Sequence, residues 1–263
     1  MTVVLAAVDL KPTGRFVGRA ARQLAQALDA DCRAVFVRAA GSVEVPQLDD
    51  VRPCELVCVE GDPAKEIERA AADPSVVMVV VGARGAPGGP TPAGHVATAV
   101  VERARKPVVV VPAEPTRDVG RLDRVLIPLE GTTATSAPIV GIIGRLADAG
   151  VVPIVLHVFD VHTVPHFWDH VAHSAPCYAL EFEARWWQAA HPVEVLLQRG
   201  EPARTVLEVA EQQDVDLIML GWAQDLSPGH AAVVRRAIAH AHVPVLLVPV
   251  DPPQPGQVPE VTA

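Results

Sequence analysis

Two rhythms of apolar and polar positions alternate along this chain. Uninterrupted apolar runs, such as VVLAAV at 3–8, VVMVVV at 76–81 and VVVV at 108–111, predict strands buried on both faces, as in a parallel sheet. Between them lie stretches with a helical period. Over 14–29, Phe16, Val17, Ala20, Ala21, Leu24 and Leu28 fall on one face of a helix. Strands that alternate with helices predict an α/β fold of doubly wound βαβ units with right-handed crossovers.

The pattern occurs twice. Residues 61–82 read GDPAKEIERAAADPSVVMVVVG, and residues 200–221 read GEPARTVLEVAEQQDVDLIMLG. In both, a glycine, an acid and Pro-Ala open a helix, and a glycine closes the next strand. An acid and a proline suit the first helical turn, which has no partner for the proline's missing N–H and a positive end for the acid. VVLAAVDL at 3–10 matches RVLIPLEG at 124–131, and KPVVVVP at 106–112 matches VPVLLVP at 243–249. Three matches in one order predict two tandem domains, each doubly wound on a five-stranded parallel sheet. The first covers 1–114 and the second 124–250, with a linker at 115–123 and a loose tail at 251–263. The copies are unequal. The first has only about fifteen residues between its second and third strands, so a helix there is short or absent. The second has roughly eighteen more, rich in histidine and tryptophan.

Half of the 263 residues are hydrophobic and 20% are charged, enough to bury a core and too apolar for disorder. The net charge of −9 repels phosphate backbones, so no nucleic-acid partner is expected. Lysine occurs only at Lys11, Lys65 and Lys106 while arginine is common, a usage that suits a GC-rich bacterial genome. The N-terminal apolar run has no charged leader, and no apolar stretch is long enough to span a membrane, so the chain reads as cytoplasmic. Cys54 and Cys58 share one strand about 13 Å apart, too far for a disulfide with each other. With Cys32 and Cys177 they are expected to be buried structural thiols.

In an open α/β sheet a ligand binds beyond the carboxyl ends of the strands. Here Asp9 follows the first strand, and Gly82 and Gly85 begin a Gly/Pro-rich loop. Gly94 and His95 enter the next helix, whose N-terminus favours an anion. The order of elements, the Gly-Asp-Pro-Ala start at 61–64 and the Pro-Val-Val-Val-Val-Pro run at 107–112 resemble the universal stress protein family across almost the whole chain. That resemblance implies, in each copy, a five-stranded parallel sheet of the adenine-nucleotide alpha-hydrolase-like kind. Nucleotide-binding members carry Gly-x2-Gly-x9-Gly-(Ser/Thr) with an acid after the first strand, and others lack the motif and bind no ATP. Here Asp9, Gly82, Gly85 and Gly94 fit, although eight residues rather than nine precede Gly94 and His95 replaces the hydroxyl residue. In the second copy Glu130 and Gly221 fit, Gln224 replaces a glycine, and Ala231 aligns with Gly94. The resemblance therefore implies a stress-response protein with ATP or AMP in the first copy. The alternative is a stress-associated scaffold acting through contacts with an unknown protein partner. Family members commonly pair their fifth strands between subunits. Here the two fifth strands are expected to meet antiparallel within one chain, as an intrachain pseudo-dimer, with a homodimer of chains left open.

His166, His170 and His173, with Asp169 between them, have the spacing of one helical face, but Pro165 and Pro176 bracket them and no metal is expected there. Tyr178, Phe182, Trp186 and Trp187 read as packing or as a partner face. Ser227 and His230 lie close in sequence without the strand–turn–helix setting of a nucleophile, and no other catalytic motif is present, so no enzymatic activity is expected.

Overall fold

In the computed structural model, the structure describes residues 1–10, 13–38, 41, 43, 54–83, 93–117, 119–129, 133–159, 180, 193–227 and 230–250. In the first half, β1 (Val3–Val8), α1 (Thr13–Ala27), β2 (Asp31–Arg38), β3 (Glu55–Glu60), α2 (Pro63–Ala71), β4 (Val76–Gly82), α3 (His95–Arg103) and β5 (Val108–Val111) follow in order. The second half repeats this with β6 (Arg124–Pro128), α4 (Thr133–Asp148), β7 (Val152–Phe159), β8 (Glu194–Arg199), α5 (Pro202–Gln212), β9 (Leu217–Trp222), α6 (Ala232–His240) and β10 (Val245–Pro249). The repeated acid–proline pairs work as the helix starts they predicted. Asp62 accepts from the Lys65 N–H at 3.0 Å, and Glu201 accepts from Ala203 and Arg204 at 2.9 Å each.

The ten strands among the described residues form one sheet, ordered β3-β2-β1-β4-β5-β10-β9-β6-β7-β8. Neighbours within each half are parallel, and β5 meets β10 antiparallel with Val110 opposite Val245, Val109 opposite Leu246 and Val108 opposite Leu247. The two fifth strands thus meet as expected, and each covers the other's apolar edge. Two core layers run through both halves. On one face α1 and α4 bury Val4, Val17, Leu24, Ile127 and Ile143; on the other, α2, α3, α5 and α6 bury Leu5, Ile67, Val100, Val206 and Ile238.

The segment joining the halves is tied to the second one. The Asp216 side chain is 2% exposed and accepts from the Asp123 and Arg124 N–H groups at 2.8 and 3.1 Å. The Arg117 guanidinium bridges Asp214 and Asp216. Two further bonds cross between halves, from Arg145 to the Leu28 carbonyl and from the Gln224 amide to the Ala104 carbonyl at 2.6 Å.

The cysteines depart from expectation. Cys32 and Cys54 form a disulfide with their Cα atoms 4.6 Å apart, and Cys58 is a free, exposed thiol rather than a buried one. Distance within one strand excluded only the Cys54–Cys58 pair. The β2–β3 register, with Arg33 opposite Glu55, places Cys32 beside the residue that precedes β3. β2 also begins two residues before the run at 33–38, because Asp31 donates to the Thr2 carbonyl and pairs with Val3. The histidine-rich and aromatic stretch around 165–187, apart from Leu180, and the tail from 251 lie outside the described residues, as do Cys177 and nearly all of the connection between β2 and β3.

Candidate functional site

The strand order of the first half reverses between β1 and β4, the place where an open α/β sheet binds its ligands, and the carboxyl ends of these strands meet the first turn of α1. Asp9 follows β1 and is half-buried. A Cβ on Gly14 would lie 2.5 Å from the Asp9 carbonyl oxygen and 3.3 Å from its Oδ1, so only glycine lets the helix start this close to the acid. Gly82 ends β4 against the other side of the same turn. A Cβ there would meet Val17 at 3.3 Å and Thr13 at 3.4 Å. The structure thus brings Asp9 and Gly82 together on α1, through Thr13 and Gly14, which the sequence reading did not single out. The Thr-Gly pair at the start of the predicted helix was the available clue.

Gly94 and His95 sit apart from that pair, on the sheet face covered by α3. Gly94 caps α3 with φ −62° and ψ 157°, a conformation open to any residue, and no side chain caps the helix. His95 is exposed, and the preceding Ala93 is 2% exposed, anchoring the approach to the helix in the core. Gly85 and the rest of 84–92 lie outside the described residues.

The matching region of the second half is built differently. Gln224, at the position of Gly85, has φ 59°, and Ala231, at the position of Gly94, has φ 46°. Both occupy the left-handed region at a cost of about 1–2 kcal/mol each. Trp222 and Leu226 are buried at 4% and 6% exposure, and Arg235 binds the Leu226 carbonyl. Hydrogen bonds from the Ser227 hydroxyl and N–H hold the Asp225 carboxyl below its ordinary range, and His230 lies 3.4 Å from it. An ionised Asp225 between the buried side chains of Trp222 and Leu226 is a poor cradle for phosphate. Ser227 and His230 are thus both engaged with Asp225, and Glu130 lies outside the described residues.

No group of three or more metal-ligating side chains is found among the described residues, and none of their helices is long and apolar enough to cross a membrane. The structure is similar to a universal stress protein from Archaeoglobus fulgidus DSM 4304, at TM-score 0.68 and 16% identity over 95% of this chain and 96% of that one. It is also similar to a functionally unknown protein from Pseudomonas aeruginosa PAO1, at TM-score 0.66 and 11% identity over 95% and 93%. Identities this low establish the shared fold alone. No curated protein sequence matches the chain. The model of the universal stress protein family matches twice, at residues 43–112 and 122–249, together well over half the sequence. With its repeat, sheet order and helix starts, the chain belongs to the universal stress protein family.

Proposed function

We propose that this protein serves in the stress response by binding one adenine nucleotide, ATP or AMP, in the first half, in the cytoplasm and without a catalytic step. The observation that carries the reading is the close approach of Asp9 and Gly82 on the first turn of α1, at the reversal of strand order. There a carboxylate can accept from a ribose or base, and the two glycines set its position by letting α1 start against Asp9 and the end of β4. Gly94 and the uncapped start of α3 add N–H groups suited to phosphate. The buried Trp222 and Leu226 and the ionised Asp225 support one site per chain rather than two.

Calorimetric titration with ATP and with AMP tests this. One equivalent per chain is expected, with binding weakened at least about tenfold in Asp9→Ala, the loss of roughly one charge-assisted hydrogen bond. Gly14→Ala should weaken it as well by displacing Asp9. Absence of heat at millimolar nucleotide, two equivalents, or unchanged binding in Asp9→Ala would defeat the proposal, and absence of heat would leave the scaffold reading in its place.

A further inference from the structure

At the end of the sheet where the strands begin, the two halves treat one place differently. In the first half the Lys106 ammonium reaches the turn between α2 and β4, and donates to the Asp73 carbonyl at 2.6 Å and to the Val76 carbonyl. Matching backbone bonds fix the equivalent place in the second half. The Val79 N–H donates to the Pro107 carbonyl at 2.9 Å, and the Ile218 N–H donates to the Pro244 carbonyl at 3.0 Å. The residue before the proline is Lys106 in one copy and Val243 in the other. Valine has no amine, and its side chain is too short to reach the turn. A pocket of about 170 Å³ lies there instead, walled by Leu207, Val215, Ile218 and Val243. Glu211 and His240, in the last turns of α5 and α6, also line it, so two helices end beside it. Asp214 and Arg117 complete the charged lining. Arg117 is held by Asp214 and Asp216, and nearby Arg121 pairs with Asp123 while Arg124 donates to the Gln213 side chain. Glu211 makes no ion pair among the described residues.

We propose that this pocket binds a small primary aliphatic amine as its ammonium ion, in the place that Lys106 fills in the first half. The alkyl chain lies against Leu207, Ile218 and Val243, and the ammonium meets the turn between α5 and β9 and the Glu211 carboxylate. An ammonium carries three donors and no acceptor, so it suits a place bounded by carbonyls and carboxylates. The uncharged ring of His240 or His242, both in the lining, can accept a further bond. The preference for a cation rests on two things. Lys106 shows which group the equivalent turn accepts in this fold, and the C-terminal ends of α5 and α6 present the negative ends of their dipoles. Arg117 does not occupy that role, because its guanidinium is spent on Asp214 and Asp216. The apolar walls select an alkyl chain over a fully hydrated cation, since burying the chain is favourable and stripping a bare ion of water is not. The pocket lies in the other half from Asp9 and at the opposite ends of the strands, so it is independent of the nucleotide reading.

The test is a methyl NMR titration of the full chain with n-butylammonium, which is the side chain of lysine as a free molecule. The methyl signals of Leu207, Ile218 and Val243 should move together and saturate with one dissociation constant. Butan-1-ol and butyrate, of similar size, should bind there at least about tenfold more weakly, for want of the charge-assisted hydrogen bonds. Val243→Lys copies the first half and places a tethered ammonium in the pocket. It should abolish the saturable shifts of Leu207 and Ile218, with unchanged circular dichroism showing that the variant is folded. If that variant does not fold, the comparison of the three probes on the wild-type protein decides. No saturable shift at tens of millimolar n-butylammonium, equal binding of butan-1-ol or butyrate, or unchanged binding in folded Val243→Lys would each overturn the proposal.

Discussion

The two halves have one fold and differ most where they meet solvent. At the carboxyl end, Gly14 and Gly82 let the start of α1 close on Asp9 and the end of β4 in the first half, while the second buries Trp222 and Leu226 and engages Asp225 beyond β9. At the outer edge, a disulfide joins β2 to the start of β3, while Pro153 and Val193 occupy the corresponding places beside β7 and β8. At the seam the halves converge, and β5 and β10 are interchangeable in character, buried and wholly apolar but for the closing proline. The sheet tolerates divergence at loops and edges because those positions carry few shared contacts. It does not tolerate it at the seam, where each half is the other's cover.

The largest expected effect therefore lies at the seam. Val110 and Leu247 are 1% and 0% exposed within one apolar layer. Replacing both with lysine buries two unpaired charges. The cost, on the order of several kcal/mol per ion, equals or exceeds the 5–15 kcal/mol stability of a typical domain. The double variant should lose its cooperative thermal transition and bind a hydrophobic dye. A soluble product that melts like the wild type would show that the halves fold and persist without their shared seam.

A smaller effect separates the two loops. Gln224 holds a left-handed backbone and ties the second half to the end of α3 through the Ala104 carbonyl. Gln224→Ala keeps the strain and removes the bond, and should cost about 1 kcal/mol. Gln224→Gly removes both, and relief of about 1 kcal/mol of strain should return it close to the wild type. Urea denaturation of the three proteins measures this. Equal stability of the alanine and glycine variants would mean that the loop relaxes out of the left-handed conformation, and the contrast with the first half would lose its energetic basis.

Much of the architecture was legible because buried parallel strands write themselves as unbroken apolar runs, and because Asp62-Pro63 and Glu201-Pro202 mark the same helix start twice. The meeting of β5 and β10 was legible for a related reason, since Pro-Val-Val-Val-Val-Pro is too apolar for a bare edge. Features that depend on register were not. Cys32 and Cys54 are neighbours only through the alignment of β2 with β3, which no local pattern states. Gly14 acquires its role from the position of Asp9, and Gln224 from a carbonyl 120 residues away. Asp216 reads in sequence as an ordinary polar residue before a strand, yet it is buried to hold the chain where the halves join.

The smallest expected effect compares two equivalent interior positions of β2 and β7. Five residues into β2 stands Phe36, and five residues into β7 stands His157; they are 5% and 9% exposed. The Leu129 carbonyl lies 3.0 Å from His157 Nδ1 and can only accept, so Nδ1 carries the proton of a neutral ring. Burial lowers the His157 pKa below 6.5, and the bond to Leu129 offsets this only in part. The unfolded chain therefore takes up its proton first as the pH falls. The histidine's contribution to stability is full above the unfolded value, and it declines from about pH 6.5 down to the folded value. Asp73 and Asp225, whose folded pKa values lie below 3.8, lose their contributions only at lower pH and leave this window clear. Denaturation at pH 7.5 and 5.5 should show the wild type weaker at the lower pH, and His157→Phe, which copies the first half, should show a smaller difference between the two. A variant with the full wild-type difference would place the acid sensitivity elsewhere and leave Phe36 and His157 equivalent in their effect on acid stability.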